Sequence, residues 1–275
     1  MADISVRFWG VRGGISCPDA ALARYGGNTA CVEVRCGNHL IIFDGGTGLR
    51  PLGSKLAVAP APLEADLFFS HCHIDHICGL PFFAPAFLSS TNLRLWAGNL
   101  LPHYTLEETM LDFTSEPLFP NAFDTFSAKI EFRDFHAGEA LTPHLNIKLR
   151  TAPLNHPGGS TGYRLEYQGR SIAYITDTEH KPGILDKNIL ALAQRADLMI
   201  YDGSYTDDEF PKRIGWGHST WQEGARLAEA AQAKVLAIFH HDPIHDDNFL
   251  DRVAVDIKVM RPGSIVASEG MSLSL

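Results

Sequence analysis

The stretch that most constrains this chain is FFSHCHIDH at residues 68–76, where histidine and aspartate are concentrated at the end of an apolar run. The four polar candidates are His71, His73, Asp75 and His76. Neutral imidazole and carboxylate oxygen are the ligands that a borderline divalent cation such as zinc takes. Residues 66–69 are short and apolar, which predicts a buried strand that delivers these ligands into a loop. A histidine-rich surface loop is the alternative, but four candidate ligands directly after a buried strand favour a metal site.

Length and charge set outer bounds on the fold and on the partners. A chain of 275 residues with 45% hydrophobic content can form one large domain or two small ones. Because no Pro/Gly/Ser-rich linker interrupts it, we expect a single domain over residues 1–275. The net charge is −9 and there is no basic block, which disfavours an extended nucleic-acid surface. A small anionic substrate is compatible with this negative charge, because bound divalent cations would dominate the electrostatic field inside a pocket.

The sequence also predicts a cytoplasmic location. The N-terminal residues lack the basic and apolar regions of a secretory signal, and no apolar run approaches the length of a bilayer span. The cysteines are odd in number and follow no disulfide framework, so we expect free thiols in a reducing compartment. They are Cys17, Cys31, Cys36, Cys72 and Cys78. Cys72 lies between two candidate ligands, but its side chain should point away from theirs.

Hydrophobic periodicity predicts a chain rich in strands. Strands are predicted at residues 4–9, 30–36, 40–43, 66–69, 91–97, 129–135, 171–176, 197–202, 234–239 and, as a last edge strand, 264–268. Helices are predicted after His76 (short and broken by prolines), at residues 104–112 from Thr105, at 182–195, and from Ser219 or Thr220 to about residue 231.

Two kinds of loop have more than one possible role. The glycine-rich turns at residues 26–29 and 44–48 could bring backbone N–H groups to a ligand, although ordinary turn chemistry also explains them. Residues 111–126 contain apolar side chains and prolines without a clear period. A lid over the active site, a packed loop and an oligomer contact all fit that segment, which leaves a homodimer open.

Further candidate site residues follow predicted strands in the second half. They are His156 before a Pro-Gly turn, Asp177 and Asp202 at strand ends, His218 just before a helix cap, and the histidines His240, His241 and His245. Taken alone, each of these residues is also explained as a surface-loop histidine or as an aspartate that caps a turn. A helix N-terminus favours anions, so His218 has a natural anion site beside it.

The residues His71, His73, Asp75 and His76 resemble the H-x-H-x-D-H signature of the metallo-β-lactamase superfamily of binuclear metal hydrolases. Later segments match further motifs of that family in the same order, so the resemblance covers most of the chain. It implies an α/β fold, the αββα sandwich, in which two mixed β-sheets are flanked by helices. Residues 26–29 and 44–48 look like the family loops that border the metal site.

The resemblance also implies a ligand set and two divalent metal ions. One metal would take His71, His73 and His156, the other would take Asp75, His76 and His240, and Asp177 would bridge them. His240 is preferred over His241 and His245 because the family ligand directly follows its strand. Asp202 resembles a residue that orients an imidazole rather than a ligand. Zinc is the expected metal, with manganese or iron as alternatives.

The sequence favours phosphodiester hydrolysis within that superfamily. His218, Ser219, Thr220 and Glu223 resemble the motif of the phosphodiesterase branch that includes ribonuclease Z, in which the histidine serves the phosphate. We therefore expect Asp75 and His218 to be the catalytic residues and a small or cyclic phosphodiester to be the substrate. The long tRNA-binding arm of ribonuclease Z has no counterpart between His156 and the last histidine.

Three other functions stay open. The first is a ribonuclease Z-like RNA endonuclease, and the second is a carboxyl-ester, thioester or lactone hydrolase. The third is a non-catalytic metal-binding signalling module. Redox chemistry is disfavoured, because the di-iron members of the family usually carry a glutamate at the position of His73.

Overall fold

The computed structural model describes residues 4–58, 62–120 and 122–275. Two sequence predictions touch the remainder. Residues 1–3, part of the segment predicted to lack a secretory signal, lie outside the described residues, as does Asn121 in the apolar loop.

Two mixed β-sheets form the centre of the molecule. Strands β1 to β6 are Ile4–Gly10, Cys31–Cys36, His39–Phe43, Leu63–Phe69, Thr91–Ala97 and Lys129–Asp134. Strands β7 to β14 are Ala140–His144, Ile147–Leu154, Ser160–Tyr167, Arg170–Ile175, Leu198–Asp202, Val235–Phe239, Ile265–Val266 and Ser272–Ser274. Among the described residues, the strand order is β14-β1-β2-β3-β4-β5-β6 in one sheet and β13-β12-β11-β10-β9-β8-β7 in the other.

Each sheet joins an antiparallel half to a parallel half. Strands β1 to β3 are antiparallel and β3 to β6 run parallel, while β7 to β10 are antiparallel and β10 to β13 run parallel. The carboxyl ends of neighbouring parallel strands lie at the same edge of a sheet, where ligands typically bind in α/β folds. The loops after β3, β4, β10, β11 and β12 therefore meet at one end of the molecule.

Helices cover the outer face of each sheet. Helices α1 to α7 are Leu49–Leu56, Ile74–Ile77, Leu106–Phe113, Ala122–Thr125, Lys187–Ala193, Trp221–Ala230 and Asp247–Met260. Single 3-10 turns occur at Ala20–Leu22, Leu80–Phe82, Ala84–Phe87 and Phe210–Lys212. Helix α1 packs with β1 and α3 packs with β5 and β6, whereas α5, α6 and α7 pack on the second sheet and on one another.

Three buried clusters fill this arrangement. The one between the sheets draws on both of them, with Phe43 and Phe68 from the first sheet and Tyr163, Tyr174 and Phe239 from the second. One further cluster lies under α1 and α3, and another lies under α5 to α7. The αββα sandwich predicted from the sequence is confirmed. The extent of the predicted single domain, residues 1–275, stays a prediction.

Several elements differ from the sequence predictions, and helix α1 and strand β7 were not predicted. The helix predicted at residues 182–195 spans only Lys187–Ala193, because Asp186 caps it and Pro182-Gly183 forms a turn before it. Helix α7, which Asp246 caps by accepting from the Phe249 N–H, was not predicted. The edge strand predicted at residues 264–268 is present as β13, but the chain then continues into β14, which pairs with β1.

The apolar segment at residues 111–126 packs against its neighbours. The ring of Phe119 lies 5.7 Å from that of Phe82, and the ring of Phe123 lies 5.7 Å from that of Phe132. Leu118 remains 75% exposed. These contacts support the packed-loop alternative for the two phenylalanines. In the part of the chain that the structure describes, no helix combines the length and apolar character needed to span a bilayer.

Candidate metal centre

The seven predicted ligands converge at the shared strand edge. His71 and His73 follow β4, Asp75 and His76 lie in α2, His156 follows β8, Asp177 follows β10, and His240 follows β12. Strand β4 positions the first four because it is buried on both faces and ends at the edge. Their ligand atoms form groups of three, and within each group all the atoms lie within 4.8 Å of one another.

One group consists of His71, His73 and His156. The His156 Nε2 atom lies 3.1 Å from the His73 Nδ1 atom. The His71 Nε2 atom is buried and has no hydrogen-bond partner among the described residues. A buried polar atom without a partner costs free energy, so this nitrogen is placed for a partner that the protein itself does not supply.

A second group consists of Asp75, His76 and His240. The Nε2 atoms of His76 and His240 are 3.2 Å apart, and the Asp75 Oδ2 atom lies 3.3 Å from the first and 3.4 Å from the second. Ligand atoms at ordinary zinc distances in a tetrahedral site are about 3.3 Å apart. The spacing of this group therefore fits a cation of that size.

Asp177 lies between the two groups. Its Oδ1 atom is 3.8 Å from the Nε2 atoms of both His71 and His156. Its Oδ2 atom is 3.3 Å from the His76 Nε2 atom and 3.4 Å from that of His240. Each carboxylate oxygen thus faces a different group, which is the arrangement that a bridging ligand needs.

The charges around the cluster fit cations. Burial lowers the pKa of His71, which keeps that imidazole in the neutral form that binds metal. Among the residues that the structure describes, the ion-pair partners of Asp75 and Asp177 are all imidazoles. Buried carboxylates without Lys or Arg nearby leave a site of negative character.

Residues behind the ligands fix their orientation. The Asp44 Oδ2 atom lies 2.8 Å from the His76 Nδ1 atom and accepts from the Tyr174 hydroxyl at 2.7 Å, while Asp44 Oδ1 accepts from the Ser70 N–H. The His156 Nδ1 atom donates to the Gly217 carbonyl at 2.8 Å. Such partners select the tautomer and the ring orientation of a ligating histidine. The role of Asp44 was not predicted, although this residue directly follows an apolar strand and Asp177 also lies just after one.

Three residues of the centre have unusual backbone conformations. Asp44, Asp177 and His240 have φ angles of +59°, +55° and +60°. This left-handed region is uncommon for residues other than glycine, and such outliers cluster at functional sites.

His218, predicted to be catalytic, lies beside the cluster in front of α6. Its Nδ1 atom is 3.0 Å from the Asp202 Oδ2 atom and 3.7 Å from the Asp177 Oδ1 atom. Burial opposes the charged form, but the charge and hydrogen bond of Asp202 and the charge of Asp177 outweigh it and raise the pKa of His218 to about 9. Asp202 is fully buried, and its contact with the Nδ1 atom fixes the orientation of the ring.

The other histidines after β12 face elsewhere. The His241 Nε2 atom donates to the Ala267 carbonyl at 2.8 Å, and the His245 Nε2 atom lies 2.8 Å from the Glu209 Oε1 atom. Of the three candidates, His240 is the one in the cluster. All five cysteines are free, and Cys72 is in none of the groups with metal-ligand spacing.

Comparison with known proteins identifies the family of this chain. Residues 39–241 match the family described as "Beta-lactamase superfamily domain". Ribonuclease Z from Enterococcus faecalis is 26% identical over 247 residues, which cover 74% of this chain and 77% of that protein. The metallo-β-lactamase fold protein YhfI from Bacillus subtilis has a TM-score of 0.74 at 17% identity over the whole of both chains. Zn²⁺-bound PqqB from Methylobacterium extorquens has a TM-score of 0.71 at 16% identity, covering 98% of this chain and 100% of that one.

Proposed function

Because this chain belongs to the metallo-β-lactamase superfamily of hydrolases, we propose that it cleaves small or cyclic phosphodiesters at a centre of two divalent cations. The observation that carries the proposal is the position of Asp177. Its Oδ1 atom faces His71 and His156 and its Oδ2 atom faces His76 and His240, which supports a pair of cations rather than one.

The ligand assignment follows those groups. His71, His73 and His156 would hold one cation, Asp75, His76 and His240 would hold the other, and Asp177 would bridge them. When bound, such ions lower the pKa of water and neutralise charge on phosphoryl oxygens. Five imidazoles and two carboxylates favour zinc, with manganese or iron as alternatives.

The chain's own groups supply position and a proton. Asp75 accepts a hydrogen bond from the Gly14 N–H at 2.6 Å, which fixes its carboxylate. Burial would raise the pKa of Asp75, but His76 and His240 outweigh it and lower that pKa, so the residue stays ionised. His218 is oriented by Asp202 and protonates the leaving oxygen as a general acid.

The motif around His218 and the ribonuclease Z relative support a phosphodiester substrate. A small substrate is preferred over RNA because the chain is acidic and only about twenty residues separate His156 from Asp177. The free cysteines support a cytoplasmic location.

Hydrolysis of bis(p-nitrophenyl) phosphate by metal-loaded protein tests this proposal. We expect His218→Ala to lower turnover by about a hundredfold or more, with the metal content intact, because the phosphoryl oxygens lose a hydrogen-bond donor that stabilises their charge in the transition state. His136→Ala, a change at an exposed histidine, is the matched control and should leave turnover unchanged. Full turnover in His218→Ala would remove the phosphodiesterase assignment.

The same experiment separates the alternatives. Faster turnover of carboxyl esters, thioesters or lactones would favour an acyl hydrolase. Protein that holds two metals and hydrolyses nothing in such a panel would favour a signalling module.

A further inference from the structure

An exposed tryptophan is held in a fixed position beside the metal centre. Trp216 lies between Gly215 and Gly217, whose φ angles of +88° and +86° suit glycine. The Glu179 Oε2 atom accepts hydrogen bonds from both glycine N–H groups, at 2.6 Å and 2.9 Å. Trp216 is nevertheless 56% exposed. Two glycines and a carboxylate therefore fix a loop that presents a large aromatic ring to solvent.

A cation covers part of that ring. The Arg213 guanidinium carbon lies 4.6 Å from the centroid of the Trp216 ring and 5.5 Å from that of Tyr205. Arg213 has no ion-pair partner among the residues that the structure describes, in a chain with 32 acidic and 23 basic residues. Stacking on aromatic faces holds the guanidinium in place and leaves its charge available to an anion.

This pair is connected directly to the metal centre. The Tyr205 ring, one of the two rings under Arg213, lies 6.1 Å from the His218 ring. The Gly217 carbonyl, next to Trp216, accepts the hydrogen bond from His156. The loop that orients a candidate ligand is therefore the loop that presents Trp216.

We propose that Trp216 and Arg213 form a nucleotide subsite. Trp216 stacks a nucleobase of the substrate, and Arg213 attracts its phosphate toward the cluster. The inference rests on the proposed phosphodiesterase function and narrows its substrates to nucleotides. Every base has a π-face, so a stacking tryptophan beside a cation is selective for nucleotides without reading sequence.

Two esters with one leaving group test the subsite. Thymidine 5′-(p-nitrophenyl phosphate) carries a base, whereas methyl p-nitrophenyl phosphate does not. We expect Trp216→Ala to lower kcat/KM for the nucleotide ester by about tenfold, mainly through KM, because base–aromatic stacking is lost. The loss for the methyl ester should be smaller, and Trp216→Phe should restore much of the loss on the nucleotide ester.

Arg213→Met tests the cation while keeping an aliphatic chain over the rings. Because both esters carry the phosphate that Arg213 attracts, it should raise KM for each of them. Arg252→Met is the matched control, since Arg252 lies 5.5 Å over the Phe249 ring in α7, and it should change neither KM. Competition by AMP and by a short RNA separates a free nucleotide from the end of an RNA as the natural source.

The outcomes distinguish the two proposals. If both esters are cleaved but Trp216→Ala leaves their ratio unchanged, the subsite is wrong and the phosphodiesterase stands. If neither ester is cleaved, calorimetry with AMP decides: binding weakened by Trp216→Ala retains the subsite without the activity. Equal binding by the two proteins, or none, overturns it.

Discussion

Two buried carboxylates in this molecule have opposite surroundings. Asp66, in the middle of β4, is fully buried and fully paired: it accepts from the Arg94 Nε and Nη2 atoms at 2.6 Å and 2.7 Å and from Trp96 Nε1 at 2.9 Å. The His144 Nε2 atom lies 2.8 Å from it. Since His144 belongs to β7, this cluster also joins the two sheets.

Asp177, at the strand edge, has no such cation. Its neighbours are imidazoles and the Thr176 hydroxyl, which donates to it at 2.6 Å. A buried carboxylate is tolerated when charge and hydrogen bonds compensate it. The guanidinium of Arg94 completes that compensation at Asp66, whereas the described partners of Asp177 are imidazoles and one hydroxyl, which fits the proposed cations.

Replacing Asp177 should have the largest effect. We expect Asp177→Asn to lower the metal content and to reduce turnover by more than about a hundredfold, because even partners behind the ligands contribute that much. Elemental analysis and assays on the same sample measure both. Unchanged metal content would contradict the bridging role.

Replacing Asp66 should produce the opposite pattern. Asp66→Asn leaves Arg94 without its carboxylate, and we expect the free energy of unfolding to fall by about 3 kcal/mol. Denaturant titration measures the loss. The metal content of the folded fraction should equal that of the wild type, and a loss of metal here would break the distinction between the two regions.

Replacing Asp44, which contacts the candidate ligand His76, should have a smaller effect on metal binding. Asp44→Asn weakens the orientation of His76, and the metal affinity should fall by about 10- to 100-fold in a competition with a chelating dye. Tyr174→Phe removes one hydrogen bond to Asp44 and keeps its charge, so it should cost less. Equal losses in the two variants would argue against the charge of Asp44 as the cause.

The smallest effect concerns pH at the Asp66 cluster. His39 stacks on His144 with ring centroids 3.9 Å apart, and burial, followed by the charge of His144, lowers the pKa of His39. The unfolded chain therefore binds this proton more readily, so the stabilisation is present above a pH of about 6.5 and is lost as pH falls through the folded pKa. In chelator, His39→Gln should flatten the fall in stability between pH 7 and pH 5. An unchanged slope would exclude His39 as a contributor.

Local patterns made much of the fold and of the centre predictable. Apolar runs such as residues 66–69 identify strands buried on both faces, and His71, His73, Asp75 and His76 fall within six consecutive residues. Helix α7 has an apolar period typical of a surface helix, although it was not predicted.

Other features depend on distant contacts. The short polar strand β14 forms because it pairs with the edge of β1. The position of Trp216 depends on Glu179, which accepts hydrogen bonds from the glycines on either side of it. The pairing of Asp66 with Arg94 and His144 likewise joins residues far apart in sequence.

The left-handed backbone at Asp44, Asp177 and His240 affects how the centre can be altered. Asparagine adopts that conformation more readily than alanine does. An alanine scan would therefore add a backbone penalty to the loss of each side chain and overstate its chemical contribution. Asparagine replacements separate the contribution of the side chain from that of the backbone. In chelator, the gain in stability from His240→Gly would measure the cost of the left-handed backbone at that position.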